Sequence, residues 1–219
     1  MANAVRECRP ESMTLFLPYV HGARQDRRMA GTSFGMQVYA RLINTADFDR
    51  VVILDPHSAI APALIDNVHV MPFDPFTSTL IKSAQQYDGV LCPDAGAEKR
   101  VNNWVSGKYP VYSCSKKRDL RTGKLSGFYT PDLKPGKYLI MDDICDGGGT
   151  FVGITDNYPS TDSHVFDLYV THGIFSKGFV PLARFRTIYT TDSFTNKIAS
   201  NVEVASLNRL ATIFTKGLI

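Results

Sequence analysis

Cysteine and tryptophan are scarce in this 219-residue chain, and neither sign of charge is in large excess. Each scarcity removes a class of protein. The four cysteines, Cys8, Cys92, Cys114 and Cys145, form no C-x-x-C pair, so neither a zinc site nor a disulfide framework is indicated. The net charge is only +3, and the basic residues gather in two places: Arg24, Arg27 and Arg28, then Lys116, Lys117, Arg118 and Arg121. A nucleic-acid binder carries a broader basic stripe, so nucleic acid is not expected as a partner. Two compact clusters suit a small polyphosphate. No apolar run approaches the roughly 20 residues that cross a bilayer. Met1 to Cys8 has no apolar core of a signal peptide, and no low-complexity stretch or short repeat occurs. What is present is a 44% apolar composition, enough for a sizeable core and too high for a disordered chain. A cytoplasmic globular protein is expected.

Short apolar runs alternate with helical patterns. Met1 to Cys8 reads as the end of a helix, and strands are expected at Thr14–Pro18, Arg50–Leu54, Val68–Met71, Gly89–Cys92, Val111–Cys114, Lys137–Met141, Val165–Val170, Thr187–Tyr189 and Val202–Val204. Helices are expected from a Thr32 or Ser33 cap to Ala46, with Phe34, Val38, Leu42 and Ala46 at i+4 spacing, then at Ala59–Ile65, 77–87, up to Val105, from Gly149 to Asn157 and at Leu207–Lys216. This alternation predicts an α/β fold with mostly parallel sheets and helices on both faces. Pro72-Phe73-Asp74-Pro75 reads as a hinge, because proline stops helices and ladders alike. It divides the chain into domains 1–74 and 75–219. Cys92, Cys114 and Cys145 lie at or beside expected strand ends, where a buried cysteine acts as a small apolar residue.

The most informative segment is Tyr138 to Phe151. Four apolar residues lead into Asp142, Asp143 and Asp146, then Gly147, Gly148, Gly149 and Thr150. Grouped carboxylates need cations, hydroxyls or backbone donors, and a glycine run lets successive N–H groups converge on a phosphate. Taken alone, it could be an acidic turn opening a helix. Its neighbours change that, because polar clusters follow other expected strands too: His21–Arg28, Asp55–Ser58, Pro93–Arg100 and Ser115–Arg121. In open α/β sheets, ligands bind beyond the carboxyl ends of the strands.

Asp142 to Thr150 resembles the phosphoribosyl-pyrophosphate loop of phosphoribosyltransferases and ribose-phosphate pyrophosphokinases. Pro18-Tyr19-Val20-His21-Gly22-Ala23-Arg24-Gln25-Asp26-Arg27 resembles a P-Y-x-x-x-A-R-Q-D-R segment that the pyrophosphokinases have and unrelated phosphoribosyltransferases lack. Three further segments match the same family. They are Asp55-Pro56-His57-Ser58-Ala59, which varies a D-L-H-A pattern, Pro93-Asp94-Ala95-Gly96-Ala97-Glu98-Lys99-Arg100, and Ser115-Lys116-Lys117-Arg118-Asp119. Thr171-His172-Gly173-Ile174-Phe175-Ser176 matches a strand end that supports the ribose loop.

The resemblance implies two phosphoribosyltransferase-like layers and a set of roles. Arg24, Gln25, Asp26 and His57 would bind ATP, and His57 and Asp94 would serve Mg²⁺. Asp142 and Asp143 would hold the ribose hydroxyls, with Asp146, Gly147, Gly148, Gly149 and Thr150 around the 5-phosphate. Lys116 and Arg118, on a mobile loop, would stabilise the transferring phosphate. The implied reaction moves the β,γ-pyrophosphoryl group of ATP to the 1-hydroxyl of ribose 5-phosphate, in a homo-oligomer that shares ATP sites between subunits. Where the family usually has Thr after its third Asp, this chain has Gly147, which opens the pocket to a larger ester such as ADP-ribose. The family's N-terminal adenine-gripping loop has no counterpart before Thr14, so a shortened chain is expected, and a non-catalytic regulatory role is a further alternative.

Overall fold

A computed structural model describes residues 2–28, 30–71, 73, 81, 86–118, 125–159, 163–194 and 199–208; the side chains of 118, 125 and 126 are excepted. The chain divides into two compact units, one within Met1–Phe73 and the other within Asp74–Thr212. The expected helices at 77–87 and Leu207–Lys216 fall largely outside the described residues.

In the first unit, helix α1 (Ala2–Glu7) precedes β1 (Thr14–Leu17), α2 (Gly35–Thr45), β2 (Arg50–Leu54), α3 (Ile60–Leu64) and β3 (Val68–Met71). The strands form a parallel sheet in the order β1-β2-β3. Four residues of β2 are buried because the strand is central. Val51 and Ile53 pack with Met36, Ala40 and Ile43 of α2 and with Ala61 and Ile65.

Two details of α2 differ from expectation. Its buried stripe is Met36, Ala40 and Ile43, whereas Val38 and Leu42 are exposed. Its N-cap position is Phe34, with no side-chain cap. The Met36 amide instead donates to the Gln25 carbonyl at 3.2 Å, so the preceding loop does the work assigned to Thr32 or Ser33.

The second unit runs β4 (Gly89–Cys92), α4 (Ala95–Val105), β5 (Val111–Ser113), β6 (Ser115–Arg118), β7 (Leu125–Tyr129), β8 (Gly136–Cys145), α5 (Gly149–Thr155), β9 (His164–Gly173), β10 (Ile188–Thr191) and β11 (Val202–Ala205). Six strands make a parallel sheet in the order β11-β10-β9-β8-β4-β5. Beyond β4 the chain adds β5 on one side, then returns to place β8 on the other. The β4–β8 junction is therefore the switch point where an open α/β sheet leaves a crevice.

Ile140, Phe166, Leu168 and Val170 form a core with Phe151 and Ile154 of α5 and with Leu182 and Phe185. Trp104 of α4 meets Tyr169 edge-on at 5.2 Å. Asp167 is buried in β9 and fully engaged. Tyr87 Oη donates to it at 2.8 Å, Arg186 Nε and the Thr187 amide each donate at 3.0 Å, and a second Arg186 nitrogen completes the pair.

Two elements depart from the sequence reading. β8 does not stop at Met141 but carries Asp142 and Asp143 on to Cys145, with Asp142 in register with Val170 and Ile144 with His172. The second basic segment is not an open loop. Ser115–Arg118 pairs antiparallel with Leu125–Tyr129, placing Lys116 opposite Phe128. The expected mobile stretch 119–124 lies outside the described residues.

Candidate active site

In the first unit, Arg24, Gln25 and Asp26 follow the buried pair Val20 and Ala23, which anchors the loop after β1 to the core. The Gln25 amide donates to Gly22 O at 2.8 Å, and Gly22 takes the positive φ of 77° that this turn needs. The Gln25 side chain lies against Gly35 so closely that a Cβ there would overlap its Oε1. His21 stands edge-on to Tyr19 of the same loop at 5.1 Å and to Tyr39 of α2 at 5.8 Å. His57 is exposed just beyond β2, after Asp55, which turns the chain with a φ of 37°.

In the second unit, Asp94 caps α4. Its Oδ1 accepts from the Gly96 amide at 3.0 Å and the Ala97 amide at 3.3 Å, while its Oδ2 accepts from Lys116 Nζ at 2.9 Å. Burial alone would raise the Asp94 carboxyl. The Lys116 bond and charge, with the two amides, outweigh it and hold the group below the usual carboxylate range.

Asp143 is 2% exposed, and Arg100 of α4 reaches it at 3.5 Å. Asp142, on the next position of β8, accepts from the Asp143 amide at 2.9 Å. Burial, then the neighbouring Asp143 carboxylate, lift the Asp142 carboxyl well above the ordinary range; the charge of Asp94 adds to the effect. Three acids, a lysine and an arginine thus converge at the carboxyl ends of β4 and β8. The glycine loop follows directly, with Gly148 at a φ of 77° opening α5. Cys92, Cys114 and Cys145 are buried, and burial pushes each thiol up to about 12, as befits packing residues.

Among the described residues, no three His, Cys, Asp or Glu side chains gather as a metal cage. Mg²⁺ needs none, since one or two carboxylates with waters and substrate phosphates suffice. Asp94 fits as such a carboxylate. The His57 imidazole is better matched to a phosphate oxygen than to Mg²⁺.

No protein-family model matches the chain. A ribose-phosphate pyrophosphokinase of Maricaulis maris is 29% identical over 84% of the chain, and one of Agrobacterium fabrum is 27% identical over its whole length. A phosphoribosylpyrophosphate synthetase structure from Mycobacterium smegmatis superposes on all of the chain with a TM-score of 0.83 at 24% identity. The chain is a homologue of the ribose-phosphate pyrophosphokinases. It spans 62% of the Maricaulis pyrophosphokinase and 72% of the Agrobacterium one, and the fold is that of the mycobacterial synthetase.

Two residues to which the motifs assign no role stand beside the acids and the glycine loop. Arg100 closes the quoted Asp94 segment, six positions past the cap, and helical spacing could have flagged it. Lys177 follows the Thr171–Ser176 segment and lies over Gly147, with a Cβ at Gly147 only 3.4 Å from Lys177 Cδ and Cε. No local pattern marks that contact. Arg118 ends β6, and its side chain lies outside the described residues.

Proposed function

We propose that the chain transfers the β,γ-pyrophosphoryl group of Mg-ATP to the 1-hydroxyl of ribose 5-phosphate, giving phosphoribosyl pyrophosphate and AMP. The observation that carries this reading is the Lys116–Asp94 pair, set beside Asp142 and Asp143 at the β4–β8 switch point. Arg24, Gln25, Asp26 and His57 take the nucleotide. Asp142 and Asp143 accept the ribose 2- and 3-hydroxyls, and the loop from Asp146 through Thr150 takes the 5-phosphate.

The sugar oxygen attacks the β-phosphorus directly. A bond forms between them, the bond from the β-phosphorus to the α,β-bridging oxygen breaks, and AMP leaves with that oxygen. The hydroxyl proton passes to solvent. Lys116, with Arg118, supplies positive charge to the transferring group, which is where phosphoryl transfer needs it. Asp94 parks the Lys116 ammonium at 2.9 Å before the substrates arrive. Mg²⁺ bound with ATP would neutralise phosphate charge, held in part by Asp94 once Lys116 shares or leaves Oδ2. ADP-ribose as acceptor is the second reading. It is favoured by Gly147, whose missing side chain faces only the flexible stem of Lys177 among its three nearest atoms. In either form the protein acts as a homo-oligomer on small molecules.

The test is product analysis by mass spectrometry with ATP, Mg²⁺ and either ribose 5-phosphate or ADP-ribose. AMP should appear in step with loss of acceptor. Stoichiometric ADP or free pyrophosphate would overturn the reading, and absence of any turnover would favour a regulatory homologue. Lys116→Ala should lower kcat about 100-fold or more while ATP binding changes less than about threefold, because its charge is used mainly in the transition state. An unchanged kcat would remove Lys116 from the chemistry.

A further inference from the structure

The segment after β9 forms one wall of the glycine loop. The amides of Ile174 and Phe175 donate to the Cys145 carbonyl at 2.9 and 3.1 Å, and the Ser176 amide donates to Asp146 O at 3.2 Å. Phe175 at a φ of 47° and Gly178 at 68° turn the chain, and the Gly178 amide closes the turn on Phe175 O at 2.9 Å. Leu182 fills the space above Gly148, where a Cβ would lie 2.8 Å from its Cδ2. These contacts fix residue 177 against the loop.

Lys177 uses that position in a particular way. Its aliphatic stem crosses Gly147, with Cγ 3.7 Å from where a Cβ would stand. Its turn is exposed, and among the described residues no hydrogen bond or ion pair engages its ammonium. The stretch from Tyr138 to Phe151 contains three aspartates and no cation. A phosphate cradled there would meet backbone donors but also three carboxylates, and would need a positive charge from elsewhere. The room beside Gly147 is thus not empty. It is where a lysine stem lies.

Resting on the proposed function, we infer that Lys177 is the phosphate-contacting cation of the acceptor site. Its ammonium takes the 5-phosphate of a ribose ester held over Gly147–Gly149, and Gly147 is without a side chain so that the lysine can lie across it. Lysine acts as a point charge with rotatable donors, so it can follow either a monoester or the proximal phosphate of a diester. A larger residue at Gly147 would displace the lysine before it touched any ligand.

The experiment is calorimetric binding of ribose 5-phosphate to the full chain, with Mg²⁺ and a non-transferable ATP analogue present. Lys177→Met keeps the stem and removes the charge, while Lys177→Arg keeps the charge. The methionine variant should bind ribose 5-phosphate about 10- to 100-fold more weakly, as expected for one lost charge-assisted bond. Its affinity for the ATP analogue should stay within about twofold, and the arginine variant should bind the sugar phosphate within a few-fold of the unmodified chain. The salt dependence of sugar-phosphate binding should also flatten in the methionine variant. Equal ribose 5-phosphate affinity in the unmodified and methionine proteins would overturn the role of Lys177 and leave the proposed function intact. Failure of the unmodified chain to bind ribose 5-phosphate at all would overturn both.

Discussion

Asp142 and Asp143 are neighbours on one strand, yet their surroundings separate them. Asp143 points to Arg100, while Asp142 is half-buried beside two other carboxylates. The sequence showed that acids cluster here and that cations would be needed. It could not show which acid receives the arginine, because that depends on where α4 crosses β8.

The difference has a measurable sign. The Asp142 carboxyl is raised in the folded chain by burial and by Asp143, so the folded state keeps a proton that the unfolded state has lost above its ordinary value near 3.9. The resulting stability is present in full below that value and fades as pH rises through the folded one. Asp94 works the other way: its depressed carboxyl contributes stability that is lost as pH falls through its folded value. Thermal unfolding across a pH series should show Asp142→Asn losing the decline in stability above about pH 4, with the acid-side loss retained. A variant whose profile matches the unmodified protein would mean that Asp142 titrates as an ordinary carboxylate.

At the scale of elements, most strands and helices were legible from period and punctuation, and the departures share a cause. Asp is a poor strand former, so β8 reads as ending at Met141. Pairing with β9, which continues beyond Met141 to Cys145 against Gly173, overrides that preference. Lys116-Lys117-Arg118 has no alternation to reveal a strand, since its pairing with β7 is set by the backbone. Helix α2 carries apolar residues on two stripes, and spacing alone cannot choose between them. The core chose Met36, Ala40 and Ile43.

The start of α2 is also a lever on the loop proposed to take the nucleotide. Gly35 gives Gln25 its place, since a Cβ would overlap Oε1. The clash is with the far end of a flexible side chain, so Gly35→Ala should leave stability within about 1 kcal/mol. Gln25 would have to swing away, and ATP affinity should drop about tenfold, the worth of one hydrogen bond to a charged group. Equal ATP affinity in a folded Gly35→Ala protein would show that Gln25 does not hold the nucleotide from this position.

At the scale of the whole molecule, the two units divide after Phe73, and each keeps its own parallel sheet and core. Among the described residues, no helix is long and apolar enough to cross a membrane. What the sequence could not reveal is which apolar residues remain outside. On α2, Val38 is 55% exposed and Leu42 67%, one turn apart on a single face, although their spacing resembles that of a buried stripe. Single exposed aliphatics are ordinary on protein surfaces. A matched i, i+4 pair is a small adhesive stripe, and burying each side chain contributes roughly 1.5–3 kcal/mol. We therefore expect light scattering at micromolar concentration to give at least twice the 24.3 kDa of one chain. A closed two-fold pair is the commonest such assembly. Replacing both Val38 and Leu42 by Glu should return the mass to that of a single chain while leaving the circular dichroism unchanged, because neither side chain belongs to the core of its own unit. A double variant of unchanged mass would move the contact away from α2. A single-chain mass for the unmodified protein would remove self-association altogether.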